Sequence, residues 1–452
     1  MTQQGVRWTT DQVLALAPDA ASRKAGSKLG TAGPWSGTGS SDEGAVWGQC
    51  RGSGSTPYRT VVDTGGAQGT AYKCSCPSRK FPCKHAVGLL LLWAGGAAQV
   101  PAGAEAPDWA QEWLTGRRER AERQRTAPQD APSAPADPEA ARRRAERRTQ
   151  RITAGATELE QRLTDLLRGG LAQAEQAGYG MWEETAARMV DAQAPGLASR
   201  VRELGTIPAS GPGWPARLLE ECALLHLLDR GWLHHADLPV ELAATVRTRV
   251  GLPAQPAGPA LRDRWLVLCQ YDTTDGHLTT RRAWLHGAES DRTVLLLSYG
   301  AAGRAPALAL APGLALDAAV AVRPGSLRGE LGEQFGAPEA GGTRPSGTDV
   351  GEALARYGTE LRGDPWLESW PVTLADVIPA RTPEGGWQLA AADGKSALPL
   401  TPTATASPGL WRLVSLSGGG PVTVFGACGH AGFRPLSAWA RGPAGADLVP
   451  LT

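Results

Sequence analysis

Four metal-ligating side chains crowd into twelve residues: Cys74-Ser75-Cys76, six intervening residues, then Cys83-Lys84-His85. In an extended strand, residues two apart point to the same side, so Cys74 and Cys76 can face one ion. Pro82 suits the first position of a helix, which places Cys83 and His85 in or just before its first turn, where the positive dipole end favours thiolate. Three sulfurs and one imidazole make a soft, four-coordinate set suited to Zn²⁺. A complete set leaves no place for water. The spacing therefore points to an architectural ion and away from a zinc hydrolase, which needs an open coordination position.

The flanking residues supply strands before the ligands and a helix after them. Ala45–Arg51 and Tyr58–Asp63 are rich in β-formers and read as a hairpin, and Ala71–Cys76 continues as a third extended piece. From Pro82 the pattern turns helical, with Ala86, Leu89, Leu90 and Trp93 at helical spacing and Gly95-Gly96 as the stop. Taken together, residues 45–95 resemble the SWIM zinc finger, whose pattern is Cys-x-Cys, a variable gap, then Cys-x-His in a β-β-α arrangement. The resemblance implies zinc held by Cys74, Cys76, Cys83 and His85. It also implies binding of DNA or protein. Such fingers occur beside helicase or transposase domains, and in bacterial, actinobacterial-like proteins that accompany AAA ATPases and von Willebrand A-type partners.

Charge is distributed unevenly. The formal net charge is +1, yet the first 100 residues hold 10 basic and 5 acidic side chains while the remaining 352 hold 36 and 40. A uniformly basic, histone-like protein is excluded, and a polyanion would prefer the first segment. Lys73, Arg79, Lys80 and Lys84 lie beside the ligands. With Arg51 and Arg59 they form a candidate phosphate-contacting face, with Phe81 or Tyr72 to stack on a base. The competing reading is local neutralisation, because three thiolates and Zn²⁺ leave the site at net −1.

Seven cysteines, an odd number, follow an opening without a basic n-region and apolar h-region, which argues for reduced thiols and a cytoplasmic location. The longest apolar run, Val87–Ala98, is too short to span a bilayer, so no membrane association is expected.

The expected organisation is multidomain α+β: a small β-β-α zinc-stapled module at 1–100, a Pro/Ala-rich linker at 101–140, a helical region at 141–255 and a β-rich C-terminal region at 256–452. Residues 30–44 read as a Gly/Ser-rich loop. The segments RWLVLCQYD, RRAWLHG, RTVLLLSYG, WQLAAADGKSALPL, LWRLVSLSGGG and PVTVFGA read as short strands, and no internal repeat is evident.

Other chemistry-bearing residues have plainer readings. Gly394-Lys395-Ser396 lacks the upstream glycine of a phosphate loop, since Leu389 stands there, and reads as a hairpin turn. Cys222 and His226 read as a helix face, Cys428-Gly429-His430 as a loop, and Cys50 and Cys269 as packed thiols. His234, His235, His277 and His286 have no visible nucleophile partner. Trp8, Trp35 and Trp47 read as core. Arg142, Arg143, Arg144, Arg147 and Arg148, interleaved with Glu139 and Glu146, read as a solvated helix. The function expected is a zinc-binding, non-enzymatic adaptor for a protein partner, with no small-molecule substrate; DNA or RNA binding through the basic face is the alternative.

Overall fold

A computed structural model describes residues 7–452 apart from 19, 53, 55, 66–69, 79, 81, 127–137, 173, 175–177, 253–257, 276–277, 302–305, 307 and 441–446. The chain divides into two compact units: Met1–Ala127 with Ala257–Gly358 and Glu368–Thr452, and Pro128–Pro256 with Thr359–Leu367. The expected linker core and Arg79, Phe81 and His277 lie outside the described residues.

The first unit opens with two short helices, α1 (Thr10–Ala15) and α2 (Ala20–Ser27). A four-stranded antiparallel sheet follows, in the order β1 (Trp35–Ser40), β2 (Ala45–Cys50), β3 (Tyr58–Asp63), β4 (Ala71–Cys74). Alternation assigns the faces. Val46, Cys50 and Val62 meet helix α3 (Lys84–Ala94) and join Leu89, Leu90, Trp8 and Trp35 in one core. Ala45, Trp47 and Val61 point the other way, against Ala110 and Leu114 of α4 (Asp108–Thr126).

Two expectations change here. Residues 101–140, expected to be a linker, contain the 19-residue helix α4, because Ala110 and Leu114 find an apolar sheet face to cover. Residues 30–44, expected to be a loop, contain β1. A Cβ at Gly39 would stand 2.8 Å from the Trp47 ring, so this glycine permits a close strand–indole approach and does not mark a turn.

The rest of the first unit consists of two β-barrels of one connectivity. In the first, β5 (Ala260–Asp275), β6 (Leu278–Gly287), β7 (Thr293–Ala301), β8 (Leu314–Val322) and β9 (Arg328–Gln334) pair in the order β8-β5-β6-β7-β9. The β8–β9 pairing closes the ring, β7 and β9 run parallel, and β10 (Glu339–Ala340) adds to β8. Trp265, Leu285, Leu296 and Val320 fill its interior.

In the second barrel, β11 (Ser369–Arg381), β12 (Trp387–Ala391), β13 (Ala397–Pro399), β14 (Val422–Gly429) and β15 (Gly432–Trp439) pair in the order β13-β12-β11-β14-β15, with β16 (Leu448–Pro450) outside β15. A parallel bridge between Leu400 and Phe433 closes it. Both barrels thus have the strand order 1-2-3-5-4 with strands 3 and 5 parallel, the Greek-key arrangement of OB-type barrels. Leu266, Leu268 and Trp284 outside the first barrel pack against Phe425, Leu436 and Trp439 of the second.

Helices interrupt the expected all-strand pattern. α10 (Val350–Gly363) lies between the barrels in sequence, and α11 (Pro402–Thr405) and α12 (Pro408–Ser417) lie between strands 3 and 4 of the second barrel. LWRLVSLSGGG, expected to be a strand, is mostly α12: Ser407 caps its start, Pro408 takes the first position and Gly418 closes it at φ +52°.

The second unit is helical, with α5 (Pro138–Gly169), α6 (Gly178–Asp191), α7 (Pro195–Thr206), α8 (Trp214–Leu233) and α9 (Val240–Val250). Ile152, Ala156, Leu159 and Leu163 form a helical stripe on α5 and bury against Trp182, Met189, Leu197, Leu225 and Trp232. Among the described residues, no helix is long and apolar enough to cross a membrane.

Candidate metal centre

Local hydrogen bonding holds each ligand. Cys74 ends β4, where pairing with β3 sets it opposite Thr60. The Ser75 amide donates to the Arg59 carbonyl and the Arg59 amide donates to Ser75 Oγ, both at 3.0 Å, which fixes the chain as it leaves the strand. Cys83 occupies the N-cap of α3 in extended conformation, and its carbonyl accepts from the Val87 amide at 3.0 Å. His85 follows in the first turn.

The four ligand atoms lie within 4.8 Å of one another. Nδ1 of His85 is 3.7 Å from Cys74 Sγ and 4.0 Å from Cys83 Sγ. A tetrahedral zinc site places its donor atoms about 3.6–3.8 Å apart, so this donor set fits the ion with little movement. Cys83 and His85 are buried, and Cys74 and Cys76 are half-buried. The Tyr58 ring lies 4.8 Å from the His85 ring, and Thr60 Oγ1 is 3.2 Å from Cys74 Sγ, so a second layer supports both a nitrogen and a sulfur ligand.

The thiols oppose one another electrostatically. The contact with Cys83, helped by His85 and Thr60, holds Cys74 below the usual thiol range. That same contact pushes Cys83 up, and desolvation raises Cys76. One thiolate is accommodated and further ionisation is resisted. A divalent cation resolves this conflict, since ligation deprotonates thiols outright. Zn²⁺ held by Cys74, Cys76, Cys83 and His85 is the chemistry this cluster supports.

Around the cluster, Lys73, Lys80 and Lys84 are exposed, as are Arg51 and Arg59. Tyr72 is no stacking platform. Its hydroxyl is buried, and burial makes the phenol a weaker acid than usual. Cys50 is fully buried outside the ligand set, and burial raises its thiol too. Sequence reasoning missed Tyr58 and Thr60, whose roles depend on strand register and not on spacing.

The remaining candidates are dispersed. His226 Nδ1 meets Glu160 at 2.8 Å while Cys222 is buried. Cys428 is buried within the second barrel, and Gly394 adopts φ +71° in the turn after β12. His235 stacks on Trp232 at 4.8 Å, and His286 is buried, which lowers its basicity. Trp8, Trp35 and Trp47 are core, as expected.

Comparison with protein families agrees with this geometry. The SWIM zinc finger model matches residues 58–94, and that of the SWIM-associated four-helix bundle domain matches residues 147–250. No curated protein and no solved structure matches the chain. The register of β3 and β4, the Cys₃His cluster and the helical second unit thus converge with these matches: the chain carries a SWIM zinc finger and a SWIM-associated four-helix bundle domain.

Proposed function

We propose that the chain is a non-enzymatic adaptor in which zinc staples the finger and the barrels dock a protein partner. The closed ligand set gives zinc no open position for a substrate or water. The observation that carries the docking role is an exposed aromatic cluster on the second barrel. Trp411 is 60% exposed, its ring lies 5.8 Å edge-on to Trp387, and the Arg381 guanidinium sits 4.4 Å over Trp387. Exposed Trp with Arg is the side-chain chemistry of interface hot spots.

The partner class suggested by the family resemblance is an AAA ATPase with a von Willebrand A-type protein. Calorimetry of the purified chain with such proteins from its own organism tests this. Trp411→Ser weakens binding by about tenfold or more if Trp411 anchors the contact; no binding, or an unchanged affinity, refutes the reading.

Nucleic-acid binding by the finger is supported by exposed Lys73, Lys80 and Lys84, with Arg79 outside the described residues. It requires that K73Q/K84Q lower oligonucleotide affinity and flatten its salt dependence.

A further inference from the structure

A strongly cationic groove lies in the helical unit. It is open to solvent, with a volume of about 1060 Å³, and its walls carry Arg144, Arg147, Arg148 and Arg151 of α5 with Gln150 and Gln193. The four arginines stand at relative positions 0, 3, 4 and 7, which makes one stripe along about 10 Å of helix. Among the described residues, no carboxylate lines the groove. The neighbouring Arg142 and Arg143, outside it, instead reach Glu146 at 3.0 Å and Glu139 at 3.6 Å.

The groove arginines are held without a counter-charge. Among the described residues, no carboxylate pairs with Arg144, Arg147 or Arg151. Among the described residues, Arg148 donates to the Gly251 carbonyl alone, at 3.3 Å, and its buried Nε meets no partner. Like charges at these helical spacings repel and weaken the helix, a strain that a bound polyanion relieves. The opposite wall is shaped for contact. Amides of Gln193 and Ala194 close α6 onto the carbonyls of Val190 and Met189, a Schellman ending whose left-handed position usually takes glycine. Here it is Gln193, at φ +61°, which brings a side-chain amide to the groove. Pro195 opens α7 beside it, adding the positive end of a helix dipole.

We propose that this groove binds the phosphate backbone of a single nucleic-acid strand. Four guanidiniums in a row exceed what one phosphate engages, since a single fork already binds it through two hydrogen bonds. A row of charges fits successive phosphates. A concave site admits a strand more readily than a duplex, and Gln150 and Gln193 offer donors and acceptors for base edges. The site is independent of the Trp411 surface and of the finger lysines.

Fluorescence anisotropy of the full chain with a fluorescein-labelled oligo-dT of about 20 nucleotides tests the proposal. Four single-strand phosphate contacts predict a log–log salt slope near −2.8 from this site, or about a 50-fold loss between roughly 50 and 200 mM NaCl. R144Q/R147Q/R151Q, with helix content checked by circular dichroism, weakens binding by about tenfold or more near 100 mM NaCl and flattens the slope by about 2. R142Q/R143Q, which alters arginines outside the groove, leaves affinity within about threefold. The proposal is overturned if the wild-type chain fails to bind near 50 mM NaCl, or if the triple variant is unaffected. It is equally overturned if R142Q/R143Q matches the triple's loss, or if polyglutamate or duplex DNA of similar length binds more tightly than oligo-dT.

Discussion

Asp229 lies on the buried face of α8 with Cys222, Leu225 and Trp232. It is wholly inaccessible, and among the described residues neither carboxylate oxygen has a hydrogen-bond partner. Burial, reinforced by the nearby Glu160, pushes its carboxyl up to about 9 from 3.8. Folded Asp229 keeps its proton to about pH 9, whereas the unfolded chain releases it near 3.8. Stability linked to this group is therefore full below the lower value and falls as pH rises, at about 1.4 kcal/mol per unit, until the upper value is passed.

At neutral pH the accumulated loss is about 4 kcal/mol. Asp229→Asn removes the titration but retains a buried polar group that lacks partners, at a cost of about 1–3 kcal/mol similar to that of the neutral acid. The variant should be more stable by about 3–4 kcal/mol at pH 7, and the gain should shrink towards acid pH. Urea titration of the full chain, read from hydrogen exchange of peptides spanning α8, follows the helical unit without interference from the many tryptophans elsewhere. A variant whose stability runs parallel to wild type between about pH 5 and 8 would falsify the account, because the carboxyl would then titrate alike in both states.

Purified chain should carry about one zinc per molecule by elemental analysis, and chelation should expose α3 amides to exchange while leaving α8 protected; an α3 indifferent to chelation would show that the ion is dispensable. Cys83→Ala should likewise lose the metal and destabilise the module by several kcal/mol, since it removes a ligand and leaves two thiols crowded together. Gly409→Ala should lower the thermal midpoint, because the added Cβ would stand 1.9 Å from the Leu451 carbonyl oxygen, and backbone on both sides must move. An unchanged melting curve would mean that α12 shifts freely.

The ligand set was legible because chemistry and spacing coincide within twelve residues, and so were β2, β3 and α3, whose apolar periods are strong. What escaped depended on partners distant in sequence. β1 looks like a loop until Gly39 is placed beneath Trp47, and α4 looks solvated until Ala110 and Leu114 meet Ala45 and Val61. α12 has the apolar content of a strand, and only its caps distinguish it. The barrels' shared connectivity left no trace as a repeat, because pairing order is a property of the backbone while the interiors use different residues, Trp265 and Leu285 in one and Leu374 and Phe433 in the other. The arginine groove was half visible: the charges were plain, but their freedom from Glu139 and Glu146 requires knowing which way each side chain points.

The sandwiching of the finger sheet between α3 and α4 bears on how this molecule can be dissected. A fragment ended at residue 100 would strip the outer cover from Trp47 and Val61 and leave a sticky indole-lined plate in water. Excision should retain α4, and aggregation of shorter pieces would report a missing lid and not a failed metal site.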